Sequence, residues 1–338
     1  MKKIFVAMMA MAALAACSNE ETLSFDKEAI GFSNAFVNNS VRSIDPSIVT
    51  GTLDSFLVYG TTKGNHNGAQ AVNVFYGVEV EKVDNNTPTE WIGDTWKYSN
   101  GYTQYWINGN TYKFAAVVNG EVVETDGDVS LMPTKLCYVA DGTTDLLYAE
   151  NDYGDYNANS SLKTVQFDFN HLLSKVKFIV KNTMTTNTDN VLYQYSVENI
   201  QLDGAFEYGD YTIGATTPWD GDGSKKFSFG NVSNATAVGD STDAVLIGAK
   251  GAAAQATSHY ERLLIPGTFD ATITATYKLW LNGHQVDELP YEQPVTLTLV
   301  PGNAYNLIIQ FGNPGDEIKF SVKQVNGWVP AEGTNVEL

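Results

Sequence analysis

The chain has 338 residues, with 39 Asp+Glu against 20 Lys+Arg and a net charge of −19. A single hydrophobic core rarely grows past about 250–300 residues, so two domains are expected, and 43% hydrophobic residues exclude a wholly disordered chain. The acidic balance and the lack of any basic tract argue against nucleic acid as a partner.

At the start, Lys2 and Lys3 precede an apolar run of 13 residues, Ile4 to Ala16. That run is too short to cross a bilayer and fits the core of a signal peptide. It ends in Leu14-Ala15-Ala16-Cys17, which resembles the lipobox of bacterial lipoproteins. The resemblance implies removal of residues 1–16 and acylation of Cys17, palmitate included. Several acyl chains on one residue anchor a protein stably to the outer membrane. Ser18-Asn19-Glu20-Glu21 looks like the acidic stretch that sends Bacteroidota lipoproteins to the outer surface. With Cys17 lipidated, Cys137 is the only thiol left, and it is expected as a small buried hydrophobe.

Downstream, two-residue alternation dominates and helical periodicity is scarce. Ile30, Phe32 and Phe36 form one face of a first strand, with Asn34 as the exception. Strands are expected at Phe56–Val58, at Val72–Phe75 and, separately, at Val78–Glu81. Tyr105-Trp106 and Tyr112–Val117 flank the turn Asn108-Gly109-Asn110 as a hairpin. The polar stretch Glu150–Ser161 is the expected domain boundary. Beyond it come alternating strands at Val165–Phe169, Val176–Val180, Leu192–Val197, Ala271–Leu281, Val295–Val300, Tyr305–Phe311 and Ile318–Val325. Asn282-Gly283 is the strongest hairpin signal. The class is all-β.

Catalytic patterns are missing from the sequence. The four histidines, His66, His171, His259 and His284, form no His-Glu-x-x-His pair, and no nucleophile elbow or phosphate loop occurs. His171 reads as a structural histidine. Asp220-Gly221-Asp222-Gly223-Ser224 begins like a calcium loop, but its twelfth position is Asn231 where a bidentate Glu belongs, so it reads as a solvated turn. No enzyme activity, metal or cofactor is expected.

Aromatic-rich segments carry more information. They include Leu53-Asp54-Ser55-Phe56-Leu57-Val58-Tyr59-Gly60, Tyr112-Lys113-Phe114-Ala115-Ala116 and Asp145-Leu146-Leu147-Tyr148-Ala149. Phe169-Asn170-His171-Leu172-Leu173-Ser174-Lys175-Val176, Leu263-Leu264-Ile265-Pro266, Pro301-Gly302-Asn303-Ala304-Tyr305 and a late Trp328 continue the series. In their order and spacing they resemble the fimbrillin family of Bacteroidota type V pilus subunits, the Mfa-like branch. The resemblance implies two transthyretin-like β-sandwich domains, 43–160 and 161–338, after a lipidated segment 17–42 with a removable first strand. It also implies a fimbrial subunit whose partners are other pilus subunits. In that family a protease cuts after an N-terminal Arg, and a strand from another subunit fills the groove left by the first strand.

Only two arginines exist, Arg42 and Arg262. Arg42 sits in the polar segment Asn38–Pro46, which makes Arg42-Ser43 the expected cleavage site and Ile30, Phe32 and Phe36 the displaced strand. At the far end, Ile318, Phe320 and Val322 alternate with Lys319, Ser321 and Lys323. That pattern suits a donor strand and equally suits the last strand of the chain's own second domain. A different reading is a surface glycan-binding lipoprotein that never polymerises, using Trp91, Trp96, Trp106, Trp219, Trp280 or Trp328, with Trp219 expected to be exposed.

Overall fold

A computed structural model describes residues 28–37, 53–82, 96–98, 103–126, 132–157, 164–185, 193–232, 253–255 and 261–325. The described chain is all-β, with strands numbered here in chain order. A seven-stranded sheet has the spatial order β1 (Gly31–Val37), β9 (Thr164–His171), β8 (Leu147–Asp155), β5 (Thr111–Val118), β2 (Ser55–Lys63), β3 (Val72–Lys82), β4 (Trp96–Tyr98). A four-stranded sheet runs β14 (Lys225–Val232), β11 (Tyr193–Ala205), β17 (Gly267–Leu281), β18 (His284–Leu299). Another runs β13 (Trp219–Asp222), β12 (Tyr208–Thr212), β7 (Pro133–Val139), β6 (Glu121–Thr125). The fourth sheet orders β15 (Ala253–Gln255), β10 (Ser174–Asn182), β19 (Ala304–Phe311), β20 (Lys319–Val325), with β16 (Arg262–Leu264) also on β10.

Among the described residues, buried side chains divide into two clusters. One lies on a single face of the seven-stranded sheet and is rich in rings, among them Phe32, Phe56, Phe75, Trp106, Phe114 and Phe167. The larger one joins Tyr59, Val117 and Tyr148 from the opposite face of that sheet to Phe178, Ile200, Phe229, Ile273 and Ile309. Alternation explains this split, because successive side chains on β2 and β5 point to opposite faces and both faces are covered.

Local turn chemistry sets the hairpins. Asn282 and Gly283 both take positive φ, 50° and 82°, so β17 and β18 meet through a turn whose twist matches its strands. The two strands expected at 72–75 and 78–81 are one, β3, which bends at Gly77 with φ 62°.

The polar stretch 150–161 is not where the sheets change. The second half of β8 occupies it and pairs with β5, and β9 still belongs to the first sheet. Its polarity reflects strand residues such as Glu150, which is exposed, while Tyr153 packs on the ring cluster. The chain passes to the next sheet between His171 and Ser174. That crossing is pinned by His171, whose Nδ1 lies 2.5 Å from Asp145 Oδ2 in a buried pair. Burial pushes the Asp145 carboxyl up, and the His171 ring opposes the shift.

Just upstream, Asp141 Oδ1 accepts from the Thr143 and Thr144 amides at 2.7 Å, and Oδ2 accepts from Thr144 Oγ1 at 2.5 Å. Partial burial raises this carboxyl, but the hydrogen bonds outweigh it and hold it below the ordinary range. A carboxyl depressed in the folded state contributes stability above its unfolded value, about 3.9, and loses it as pH falls through the folded value. Asp141→Asn should therefore cost less than about 1 kcal/mol at neutral pH, with the difference vanishing in acid. Denaturation of both proteins across pH 2–7 checks this, and a difference that grew on acidification would contradict it.

Candidate functional site

β1 is an outlier in its sheet. It pairs parallel to β9, while every other described pair there is antiparallel. β9 meets β8 only at His171 and Asn170, so from Thr164 to Phe169 its described ladder partner is β1. On its other side the lead into β1 is held as well. The Ile30 amide donates to Gln104 O at 2.8 Å, and the Trp106 amide donates to Glu28 O at 2.9 Å. The Tyr98 hydroxyl donates to Ile30 O, and burial keeps that phenol protonated by pushing it far above its usual range.

Beneath β1 lies the ring cluster. Ile30 and Phe32 are 0% and 2% exposed. Phe32 sits among Phe75 at 5.6 Å, Phe56 and Phe167 at 5.9 Å, Tyr98 at 6.0 Å and Phe114 at 6.4 Å between ring centroids. Each such pair adds about 0.5–1.5 kcal/mol beyond area burial. Gly60 makes room for the layer: a Cβ there would come within 2.7 Å of Phe114 Cδ1 and 3.1 Å of Phe75 Cδ2. Gly60→Ala should cost about 1–3 kcal/mol by overpacking, read by denaturant unfolding; an unchanged midpoint would contradict this packing.

The expected first strand therefore exists, with a difference at its end. Ile30 and Phe32 share the core face, but the register slips between Ser33 and Phe36, so Phe36 aligns with Asp168. One extra residue stands in β1 between these two pairs. Tyr105-Trp106 does not form a hairpin with β5. Its segment bridges to Ala29 instead, which ordinary hairpin signals cannot reveal because the partner is 76 residues upstream.

The other expected positions fare differently. Cys17, Arg42 and Ser43 lie outside the described residues, as do Trp91 and Trp328. Ile318, Phe320 and Val322 belong to the terminal edge: β20 pairs antiparallel with β19, Ile318 and Phe320 are half-buried, and Val322 is 44% exposed. Trp219, expected to be exposed, is partly buried; its Nε1 donates to Leu172 O at 2.8 Å and its ring meets Tyr211. Its place in a hairpin strand over the crossing, rather than in a free turn, accounts for this. Trp96 and Trp106 are buried, and Trp280 donates to Ser196 Oγ at 3.2 Å. Cys137 is half-buried rather than buried, in register with Glu121 and Asp210 on β7. Burial foremost, then those carboxylates, pushes its thiol up, away from the reactive thiolate.

The structure is similar to that of a fimbrial protein from Bacteroides vulgatus, with TM-score 0.61 and 17% identity, covering 89% of this chain and 99% of that one. A protein from Bacteroides ovatus assigned to cell adhesion is also similar, at TM-score 0.45 and 15% identity over 91% of this chain and 100% of that one. No curated protein matches. The family model described as fimbrillin-like matches residues 42–328, most of the chain's length. On that match, the chain belongs to the fimbrillin-like family.

Proposed function

We propose that this protein is a structural subunit of a cell-surface fimbrium, exported as a lipoprotein on Cys17 and assembled by strand exchange after a cut between Arg42 and Ser43. The observation that carries the reading is β1 itself. Its start buries Ile30 and Phe32 in the core, yet among the described strands it stands at the edge of its sheet, and it lies wholly upstream of Arg42. The family match begins at residue 42, past β1. One cut would leave β1 bound by non-covalent contacts alone, and its high effective concentration would be lost. Its departure would free the β9 edge together with an aromatic groove, the two elements that strand addition needs. The fimbrial and cell-adhesion assignments of the similar structures agree with a place at the cell surface. The test is the size of the purified precursor before and after an arginine-specific protease. Conversion from monomer to polymer is expected. Cut protein that stays monomeric with residues 28–37 still bound would overturn the proposal.

A further inference from the structure

We propose that the second half of the chain carries an intramolecular isopeptide site, in which Lys177 Nζ condenses with the side-chain amide of Asn306 and Glu261 moves the protons. β10 and β19 are the two middle strands of their sheet and pair in parallel, with Lys177 aligned on Asn306. Aligned residues of neighbouring strands stand about 4.8 Å apart and point to the same face. A four-carbon lysine stem and a short asparagine side chain can close that gap. Their chain neighbours Val176, Phe178, Tyr305 and Leu307 point the other way, into the core. β16 brings the third group: Arg262 aligns with Val176, and the same antiparallel register puts Glu261 beside Lys177. Glu261 Oε1 lies 3.7 Å from Lys177 Nζ and Oε2 lies 3.5 Å from Lys175 Nζ.

Only Lys177 combines an amide, a carboxylate and shelter. Lys175 touches the same carboxylate and feels Asp145 as well, but its aligned partner on β19 is Ala304, which offers no carbonyl carbon to attack. Lys323 flanks Asn306 from β20 but is exposed. The Lys177 and Glu261 side chains are 15% and 10% exposed, and Ala304 and Ile308, on either side of Asn306 on its face, are buried. Such a site keeps out the water that would compete for the amide. Glu261 takes a proton from the Lys177 ammonium, and the neutral Nζ attacks Asn306 Cγ. The Nζ–Cγ bond forms and the Cγ–Nδ2 bond breaks. Both protons shed by Nζ leave with Nδ2 as ammonium, so the step needs no oxidant and no co-reactant. Its product ties the two middle strands of the sheet together by an amide, and a pull on either strand then loads a covalent bond. The bond forms whether or not the chain is cut at Arg42, because all three residues lie downstream.

A tryptic digest of the purified full chain, read by mass spectrometry, tests the site. One branched peptide should join Lys177 to Asn306, lighter by one ammonia than the sum of its two parts, and no cut should follow Lys177. Glu261→Gln should keep the parent's circular dichroism and give the two linear peptides, with cleavage restored after Lys177. Asn306→Ala should also give linear peptides and melt below the parent, because a cross-link that closes a long loop no longer restrains the unfolded chain. A parent digest with only linear peptides and an intact Asn306 amide would overturn the proposal. A folded Glu261→Gln chain that still holds the branched peptide would overturn the part given to Glu261.

Discussion

Arg42→Ala is expected to abolish assembly while leaving the folded precursor intact. Residues 28–37 would stay covalently joined to the rest, and the β9 edge would stay closed. The expected readout is a single unprocessed band, a melting temperature equal to the parent's, and no fibres by electron microscopy. Arg262, the other arginine, sits on β16 in ladder with Val176 and over the Phe229 ring at 5.8 Å, which makes it a structural residue. Normal fibres from Arg42→Ala would remove Arg42 as the processing site.

Phe32→Ala separates precursor from fibre. Deleting a fully buried phenylalanine ring costs about 3–5 kcal/mol, a large part of the 5–15 kcal/mol that holds a typical domain. The precursor should unfold at clearly lower denaturant. The mature subunit would no longer contain Phe32, so fibres built from the variant should melt with the parent's. Phe167→Ala, which removes a ring from the groove floor on β9, should weaken both forms. Equal destabilisation of the fibre by Phe32→Ala would mean that β1 remains in place after assembly.

Particular residues show why some of this was readable beforehand. Asn282-Gly283 announces its hairpin because both positions need positive φ, a purely local demand. Ile30 and Phe32 declare a core strand through their spacing. What they cannot declare is the partner, since β9 begins 133 residues after Gly31 and non-local pairing leaves no local mark. The slip after Ser33 has no glycine to signal it. The stretch 150–161 misleads because a strand whose core contacts come from Tyr148 and Tyr153, with acidic residues between, has the composition of a linker. Trp219 misleads similarly, as a Pro-Trp-Asp turn signal that the fold uses as a short strand across the crossing.

In its assembled form the chain is expected to have lost its first strand. Intact mass and N-terminal sequencing of subunits taken from surface fibres test it most directly. The expected result is a chain beginning at Ser43 with the mass of residues 43–338. An acylated Cys17 at the head of an otherwise whole chain, present in those same fibres, would contradict it.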